Sequence, residues 1–423
     1  MKPYAGAFGR AEAGRLLRRA AFVARPEDVD RAVRDGLDAT AERLLADLSS
    51  RDADAADVSA DAREAALRGS DDGALLAGAW LLRLAETRRP LRERLALFWH
   101  GHFTTALRKV ADGAALLDQI ALFRRLGGGP FADLTAEVGR DPAMLRYLDG
   151  AGSTASAPNE NYGRELLELF TVGTGAYDER DVREAARAFT GWSVRGGRAR
   201  FSAAAHDAGL KTLLGATSPF DADGASRLCA DHPATARRLA GKLARAFVAD
   251  APPPATVDAL AATWRSRRGD VGRVLGDLFR SEAFFAPGLG LAVTRSPVLF
   301  AVAALRLDGA RPAAIDVARR VARMGEAPLD PPTVKGYDGG ASWLNPATRL
   351  ARLDFIASLP ETPATACEVP EGAAFRDFAA DVLGRALDPA EAAALDRAAP
   401  ENVPGAGRRR LRLLLTHPEF DRC

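Results

Sequence analysis

Three short polar motifs contain the residues whose types and spacing could do chemistry. The first, residues 98–103, reads Phe-Trp-His-Gly-His-Phe and holds two of the five histidines of the chain, His100 and His102. On a helix, residues two positions apart point about 200° apart, so the two imidazoles meet only if the backbone opens at Gly101. An open backbone would let both histidines bind one metal ion or flank a substrate. A closed helix would leave one histidine buried among aromatic residues and the other at a helix end.

The second motif, residues 159–170, combines acidic residues with one arginine in front of an apolar run. Glu160 and Glu168 each lie four residues from Arg164, which is typical of a salt-bridged surface helix. The same density of carboxylates, with Glu165 on the neighbouring face, also suits acid–base chemistry or metal binding. Gly163 weakens a helix by up to about 1 kcal/mol relative to alanine. This glycine therefore indicates that another element packs closely there.

The third motif, residues 206–212, supplies a base, a carboxylate and a cation within six residues. These are His206, Asp207 and Lys211, and they follow a predicted hairpin. A loop can present such groups to a substrate without needing helical register. The same composition is also found in solvated turns, so both interpretations stay open.

Helical periodicity dominates the rest of the chain and has to position these motifs. We predict a mostly α fold, either one large multi-helical fold or two helical lobes, with one small β-hairpin near residues 192–202. The turn of that hairpin is expected at Gly196-Gly197. A Pro-rich break at 251–254 separates an N-terminal helical region, residues 1–250, from a C-terminal helical region, residues 251–423, that we expect to pack on the first.

Composition excludes several classes of protein. The 423 residues include 58 basic and 56 acidic side chains, a formal charge of +2, which excludes a disordered chain and a strongly polycationic nucleic-acid binder. No apolar run reaches the roughly 18 residues of a membrane span. Cys229, Cys367 and Cys423 are odd in number and show no metal-binding or redox spacing. Together with the lack of a signal-like N-terminus, they predict a cytoplasmic protein.

Taken in chain order, the three motifs and residues 184–192 resemble a bacterial family catalogued as domain of unknown function 1800. Residues 16–22, 232–247 and 331–343 are similar to further blocks of that family, so the resemblance covers nearly the whole chain. The chain departs from the family pattern at Phe170, where members often carry histidine, and at Tyr337, where tryptophan is usual. The first departure removes a candidate ligand from the helix of the second motif.

The resemblance implies a partner and no established reaction. Members of the family are often encoded beside a second family, domain of unknown function 1501, whose fold looks like that of alkaline phosphatases and sulfatases. A protein of that family is therefore the partner that the resemblance implies.

Two hypotheses for the function follow. In the first, the chain is an enzyme of hydrolysis or group transfer, and its polar residues line one cleft that could hold a divalent metal between His102, Glu165 and His206. In the second, the chain is a non-catalytic binding or assembly partner, and the same residues form a buried polar network that fixes helix packing. The enzyme requires six acid–base residues to converge on a pocket that water can reach: His100, His102, Glu160, Glu165, His206 and Asp207. Arg164 and Lys211 complete the predicted site and would bind an anionic group of the substrate or orient the carboxylates.

Overall fold

The prediction of a mostly α protein is confirmed by a computed structural model, which describes residues 1–49, 55–361, 369–400 and 405–423. The helices of the N-terminal half of the described chain are α1 (Arg10–Ala20), α2 (Pro26–Ser49), α3 (Ala55–Ala66), α4 (Gly73–Glu86), α5 (Pro90–His102), α6 (Leu107–Val110), α7 (Gly113–Leu126), α8 (Phe131–Val138), α9 (Pro142–Tyr147), α10 (Glu160–Glu165) and α11 (Glu179–Ala188). A π-helix, Leu166–Phe170, continues α10.

The helices that follow are α12 (Ala222–Asp231), α13 (Pro233–Phe247), α14 (Pro254–Ser266), α15 (Val271–Phe279), α16 (Glu282–Phe285), α17 (Pro297–Asp308), α18 (Ala314–Arg323), α19 (Pro346–Ala357), α20 (Gly372–Leu383), α21 (Pro389–Ala398) and α22 (Ala406–Leu415). Short 3₁₀ helices lie at Ala203–Ala205, Gly340–Trp343 and Pro418–Asp421.

Two small antiparallel hairpins interrupt the helices in the described chain. The predicted one pairs β1 (Trp192–Arg195) with β2 (Arg198–Phe201) across Gly196-Gly197. The second, which the sequence did not predict, pairs β3 (Lys211–Leu213) with β4 (Ala216–Ser218). Strands of three residues are too short to show an alternating pattern, and the turn at Leu214-Gly215 gives only one glycine as a signal.

The apolar core runs through both predicted regions of the chain. One continuous cluster of buried side chains extends from Ala13 to Phe420. The N-terminal α1 also contacts late elements directly, because the buried Arg19 guanidinium donates to the main-chain carbonyls of Phe247 (3.1 Å) and Cys423 (3.4 Å).

Buried arginines satisfy the carbonyl groups that helix ends leave without partners. The Arg306 guanidinium, for example, donates to the carbonyls of Thr87 (3.0 Å), Leu84 (3.2 Å) and Ala85 (3.3 Å) at the end of α4. A cation at this position also interacts favourably with the negative end of the helix dipole. The arginine-rich composition therefore has a structural use inside the protein.

The close approach predicted at Gly163 is confirmed. A Cβ atom there would lie 3.0 Å from the Ala186 nitrogen and 3.1 Å from the Val182 oxygen. These are backbone atoms of α11, which cannot move aside as a flexible side chain can. Helix α10 can therefore pack on α11 at this distance only with glycine at the contact.

No helix within the described ranges combines the length and the hydropathy needed to cross a lipid bilayer. Cys229 and Cys423 are buried free thiols, and Cys367 lies outside the described residues.

Candidate functional site

His102 is buried and uses both ring nitrogens on protein groups. Its Nε2 lies 3.0 Å from the main-chain oxygen of Phe170, and its Nδ1 lies 2.7 Å from Nζ of Lys242. A carbonyl can only accept, so Nε2 carries the hydrogen and Nδ1 accepts from the lysine ammonium. Burial, and secondly the nearby Lys242 and Arg238 cations, lower the pKa of His102. The ring is therefore a neutral imidazole with no free ligand position.

His100 faces a different part of the protein because the backbone does not open at Gly101. Helix α5 continues through His102, so the two rings diverge. His100 Nε2 accepts from the Leu329 N–H (3.2 Å), and its ring packs edge-on against Trp80 at 5.3 Å between centroids. Burial lowers the pKa of His100 to about 4. Its Nδ1 is buried and has no hydrogen-bond partner among the described residues.

The first motif meets the second at the end of the π-helix. The carbonyl of Phe170 accepts from His102, and the carbonyl of Leu169 accepts from the Arg238 guanidinium at 3.2 and 3.3 Å. Lys242 lies 3.5 Å from the same Leu169 carbonyl. Burial, with the neighbouring Arg238 and Arg245, lowers the pKa of Lys242 to about 7. Side chains of α5 and α13 thus cap the helix of the second motif.

The acidic residues of the second motif lie at the surface in two separate groups. The Arg164 guanidinium bridges Glu179 (2.7 Å) and Glu160 (3.3 Å), as in the salt-bridged surface helix that the spacing allowed. Glu168 instead accepts from the Tyr177 hydroxyl (3.1 Å). The Glu165 carboxylate has no hydrogen bond or ion pair with any described residue. Burial, and secondly Glu168, raise the pKa of Glu165.

The third motif is held by α11. Arg187 binds the Asp207 carboxylate in a bidentate pair at 2.6 and 3.1 Å, and this guanidinium lowers the pKa of Asp207. The buried Lys211 ammonium donates to the main-chain carbonyls of Asp207 (2.6 Å) and Gly209 (3.0 Å). His206 donates from Nδ1 to the Thr190 carbonyl (3.0 Å). These bonds fix the loop between the two hairpins on α11.

The structure brings together few of the eight predicted site residues. Arg164 contacts Glu160, and the Lys211 ammonium contacts the main-chain carbonyl of Asp207. No other hydrogen bond or ion pair in the described part of the chain joins two of the eight. Three of the eight, His102, Glu165 and His206, were predicted to bind a metal ion. Their ligand atoms do not lie within 4.8 Å of one another.

A different group of residues has the spacing of a metal site. Within the described residues, Glu391, His417 and Glu419 place one ligand atom each within 4.8 Å of the others. The Arg385 guanidinium, however, already pairs with Glu391 (2.6 Å) and with Glu419 (2.8 Å). It lowers the pKa of Glu391 to about 2. This group is therefore an ion-pair cluster that joins α21 to the 3₁₀ helix Pro418–Asp421.

Sequence reasoning missed the partners that hold the motifs, among them Lys242, Arg238 and Arg187. One signal could have found Lys242. The chain has five lysines, which leaves 58 − 5 = 53 arginines, so a lysine is the unusual choice of cation. Lys2, Lys109 and Lys335 are exposed surface residues, whereas Lys211 is buried and Lys242 partly buried.

The first motif also contacts the late segment 327–343, which sequence reasoning did not place at the site. A Cβ at Gly336 would lie 3.0 Å from the Gly101 carbonyl oxygen. The Arg108 guanidinium donates to the carbonyls of Pro331 (2.5 Å) and Pro332 (2.9 Å). Residues more than two hundred positions apart thus form one structural unit.

The family model described as a protein of unknown function, DUF1800, matches residues 15–422. No curated protein and no solved structure matches the chain.

Proposed function

The chain belongs to the DUF1800 family, and we propose from the geometry of its polar motifs that it is a non-catalytic binding protein. In this proposal, the motif residues hold the helices in place. A separate surface binds the partner.

One observation carries the proposal: both ring nitrogens of His102 bond to the protein itself. A catalytic or metal-binding imidazole needs one nitrogen free for the substrate or the metal. Here Phe170 and Lys242 take both positions, and the ring is buried. The Lys211 ammonium supports the same conclusion, because it donates to carbonyls of its own loop.

The surface that suits a partner is the β1–β2 hairpin. Arg195, Arg198 and Arg200 are exposed there, and none has a hydrogen bond or an ion pair with a described residue through its guanidinium. On the same hairpin Phe201 is 49 % exposed, and in the loop that follows it Leu210 is 66 % exposed. Three unpaired cations next to apolar side chains suit an acidic protein surface with apolar groups of its own.

The strand register supports a binding role for these arginines. Arg195 lies directly opposite Arg198 in the hairpin. Like charges in a cross-strand pair destabilise a sheet, so this pair contributes nothing favourable to the fold. An acidic partner placed between the two guanidinium groups would neutralise the repulsion.

The partner that we propose is a phosphatase- or sulfatase-like protein of the domain of unknown function 1501 family, as the resemblance implies. The test measures binding of the purified full chain to such a protein from the same organism, immobilised on a sensor surface. The variant Arg198→Glu replaces the like-charge pair with an opposite-charge pair. It is expected to raise Kd at least about tenfold, since an interface cation is reversed, while the melting temperature stays equal or rises.

Arg31→Glu makes the same charge change on α2, at an exposed arginine away from the hairpin, and serves as the matched control. It is expected to leave Kd within about twofold of the unmodified chain. Failure of the unmodified chain to bind, or equal affinities for the Arg198→Glu and Arg31→Glu variants, would overturn the proposed interface.

A second candidate function is the enzyme of hydrolysis or group transfer, and the contact between Lys242 and His102 favours it. Lys242 is half-buried, and its amine lies 2.7 Å from an imidazole nitrogen that can accept a proton. A nucleophile beside a base that a third group orients is the arrangement of covalent catalysis, and the Phe170 carbonyl orients this base.

Two measurements separate this candidate from the first. Elemental analysis of the purified chain, compared with a His102→Ala, His206→Ala double variant, tests the divalent metal. Mass spectrometry after a short exposure to an acylating reagent at neutral pH tests the amine. An enzyme predicts more metal in the unmodified chain, or labelling of Lys242 before the exposed Lys2 and Lys335. More metal in the unmodified chain is not expected from the binding protein. The lowered pKa of Lys242 favours labelling in either case, so labelling supports the enzyme only if His102→Ala abolishes it.

A further inference from the structure

A groove with an apolar floor lies between α4 and α18. Its volume is about 530 Å³, within the range of pockets that bind small molecules. The first turns of α4, helix α6, one face of α18 and the segment 327–330 form its walls. Small and apolar side chains make up the floor: Ala74, Ala77, Leu107, Ala318, Pro328 and Leu329.

The packing of the two helices explains why this space is open. Helices α4 and α18 come closest at Gly78, where a Cβ atom would lie 1.9 Å from the Ala314 carbonyl oxygen. On the groove side of this contact both helices present alanines, among them Ala77 and Ala318. Their short side chains do not fill the space between the helices. The groove is thus a consequence of side-chain size at fixed backbone positions.

The far wall is held by the first polar motif. The N–H of Leu329 donates to His100 (3.2 Å), and the carbonyl of Leu329 accepts from the Leu107 N–H (2.8 Å). Leu329 adopts a φ of +68°, which is a strained conformation for a leucine. Two hydrogen bonds in opposite directions maintain it. The groove is therefore formed before any ligand arrives.

Two charged residues of the lining, Arg319 and Asp71, have no ion pair with a described residue. Arg108 and Asp330 pair with each other at 2.8 Å, and the Asp71 carboxylate accepts from the Gly113 N–H at 3.2 Å. Arg319 is exposed on α18 at the rim and makes no hydrogen bond or ion pair with any described residue through its side chain. A ligand of this groove would therefore meet an apolar floor, the unpaired Arg319 cation on α18 and the Asp71 carboxylate just before α4. A ligand carboxylate is favoured at Arg319 and disfavoured near Asp71.

We propose that the α4–α18 groove binds a medium-chain aliphatic monocarboxylate, with the hydrocarbon chain on the alanine floor and the carboxylate on Arg319. Burial of the chain supplies most of the affinity, and the charge-assisted hydrogen bond orients the ligand. This site does not depend on the proposed partner. It stands or falls independently of the hairpin interface.

The test is calorimetric titration of the full chain with decanoate below its micelle concentration, and with decanol as the uncharged analogue. Arg319→Glu is expected to weaken decanoate binding at least about tenfold, since the cation that pairs with the carboxylate becomes a repelling anion. It is expected to leave decanol binding within about twofold. The matched control is Arg320→Glu, the same charge change on the neighbouring residue of α18, which does not line the groove.

Ala322→Trp is a second variant that fills the groove from its exposed rim, where a larger side chain does not disturb the core. It is expected to abolish binding of both ligands while the melting temperature stays the same. Saturable decanoate binding that both Arg319→Glu and Ala322→Trp leave unchanged would overturn the site. The absence of saturable binding to the unmodified chain would overturn it as well.

Discussion

At the scale of single residues, the histidines and Lys211 of the motifs bond mainly to main-chain carbonyls and N–H groups. His102 and Arg238 satisfy the end of the π-helix, Lys211 satisfies its own loop, and His100 holds Leu329. Buried polar groups without partners are costly, so each of these bonds stabilises the folded state relative to one in which it is missing. Of these residues, His100, His102 and Lys211 were predicted to be catalytic, because residue types alone do not reveal the partners of a side chain.

The pH dependence of stability tests the buried state of His100. Its folded-state pKa is about 4, below the roughly 6.5 of an unfolded histidine. Between these values the unfolded chain binds one more proton, so the free energy of unfolding falls as the pH falls from 6.5 to 4. The contribution of this one group over that window is about 3 kcal/mol.

His100→Gln keeps an acceptor for the Leu329 N–H and cannot titrate. Urea unfolding of both proteins at several pH values between 4 and 7 measures the difference in slope. We expect a shallower decline for the variant. Parallel curves for the two proteins would show that the pKa of His100 is the same in the folded and the unfolded chain.

At the scale of elements, close helix contacts depend on glycine at particular positions. Gly78 leaves no room for a Cβ against the Ala314 carbonyl, whereas Gly241 on α13 has its nearest neighbour at 3.9 Å. Gly78→Ala is therefore expected to lower the free energy of unfolding by about 3 kcal/mol, as overpacking against a backbone does. Gly241→Ala, the matched control, is expected to raise it by up to about 1 kcal/mol.

Chemical denaturation of the two variants measures both effects. Equal changes in both proteins, of either sign, would contradict the close contact between α4 and α18.

The sequence was informative about elements that have a local signal. The first hairpin was predicted from Gly196-Gly197, and the close packing at Gly163 from the cost of glycine in a helix. The π-helix was not predicted, because its carbonyl groups find their donors on α5 and α13, far away in the chain. Periodicity gives no information on partners that only the tertiary fold supplies.

At the scale of the whole molecule, the continuous core predicts one cooperative unfolding transition. The predicted regions 1–250 and 251–423 share buried contacts, and Arg19 of α1 bonds to the carbonyl of the last residue, Cys423. Differential scanning calorimetry is therefore expected to show one transition, with equal calorimetric and van't Hoff enthalpies. Two resolved transitions would show that the regions fold as separate domains.

The distances between the candidate site residues are likewise set by the tertiary fold and not by local sequence. The motif residues were recognised from their types and order, but their convergence on one cleft was an assumption about distance. In the structure His102 contacts Lys242 of α13, whereas His206 lies in the loop held by α11 and contacts Thr190. Helix α5 continues through Gly101, so His100 and His102 point in different directions. A single glycine in the sequence does not predict whether a helix continues.

The central claim is that the motif side chains stabilise the fold, and a double-mutant cycle between His102 and Lys242 tests it most directly. Urea unfolding would be measured for His102→Phe, Lys242→Met and the double variant. The account predicts that both single variants are less stable than the unmodified chain, with a coupling energy of about 1 to 2 kcal/mol between the two residues. Single variants as stable as the unmodified chain or more stable, with no coupling, would contradict it, because active-site residues are often conserved at the expense of stability.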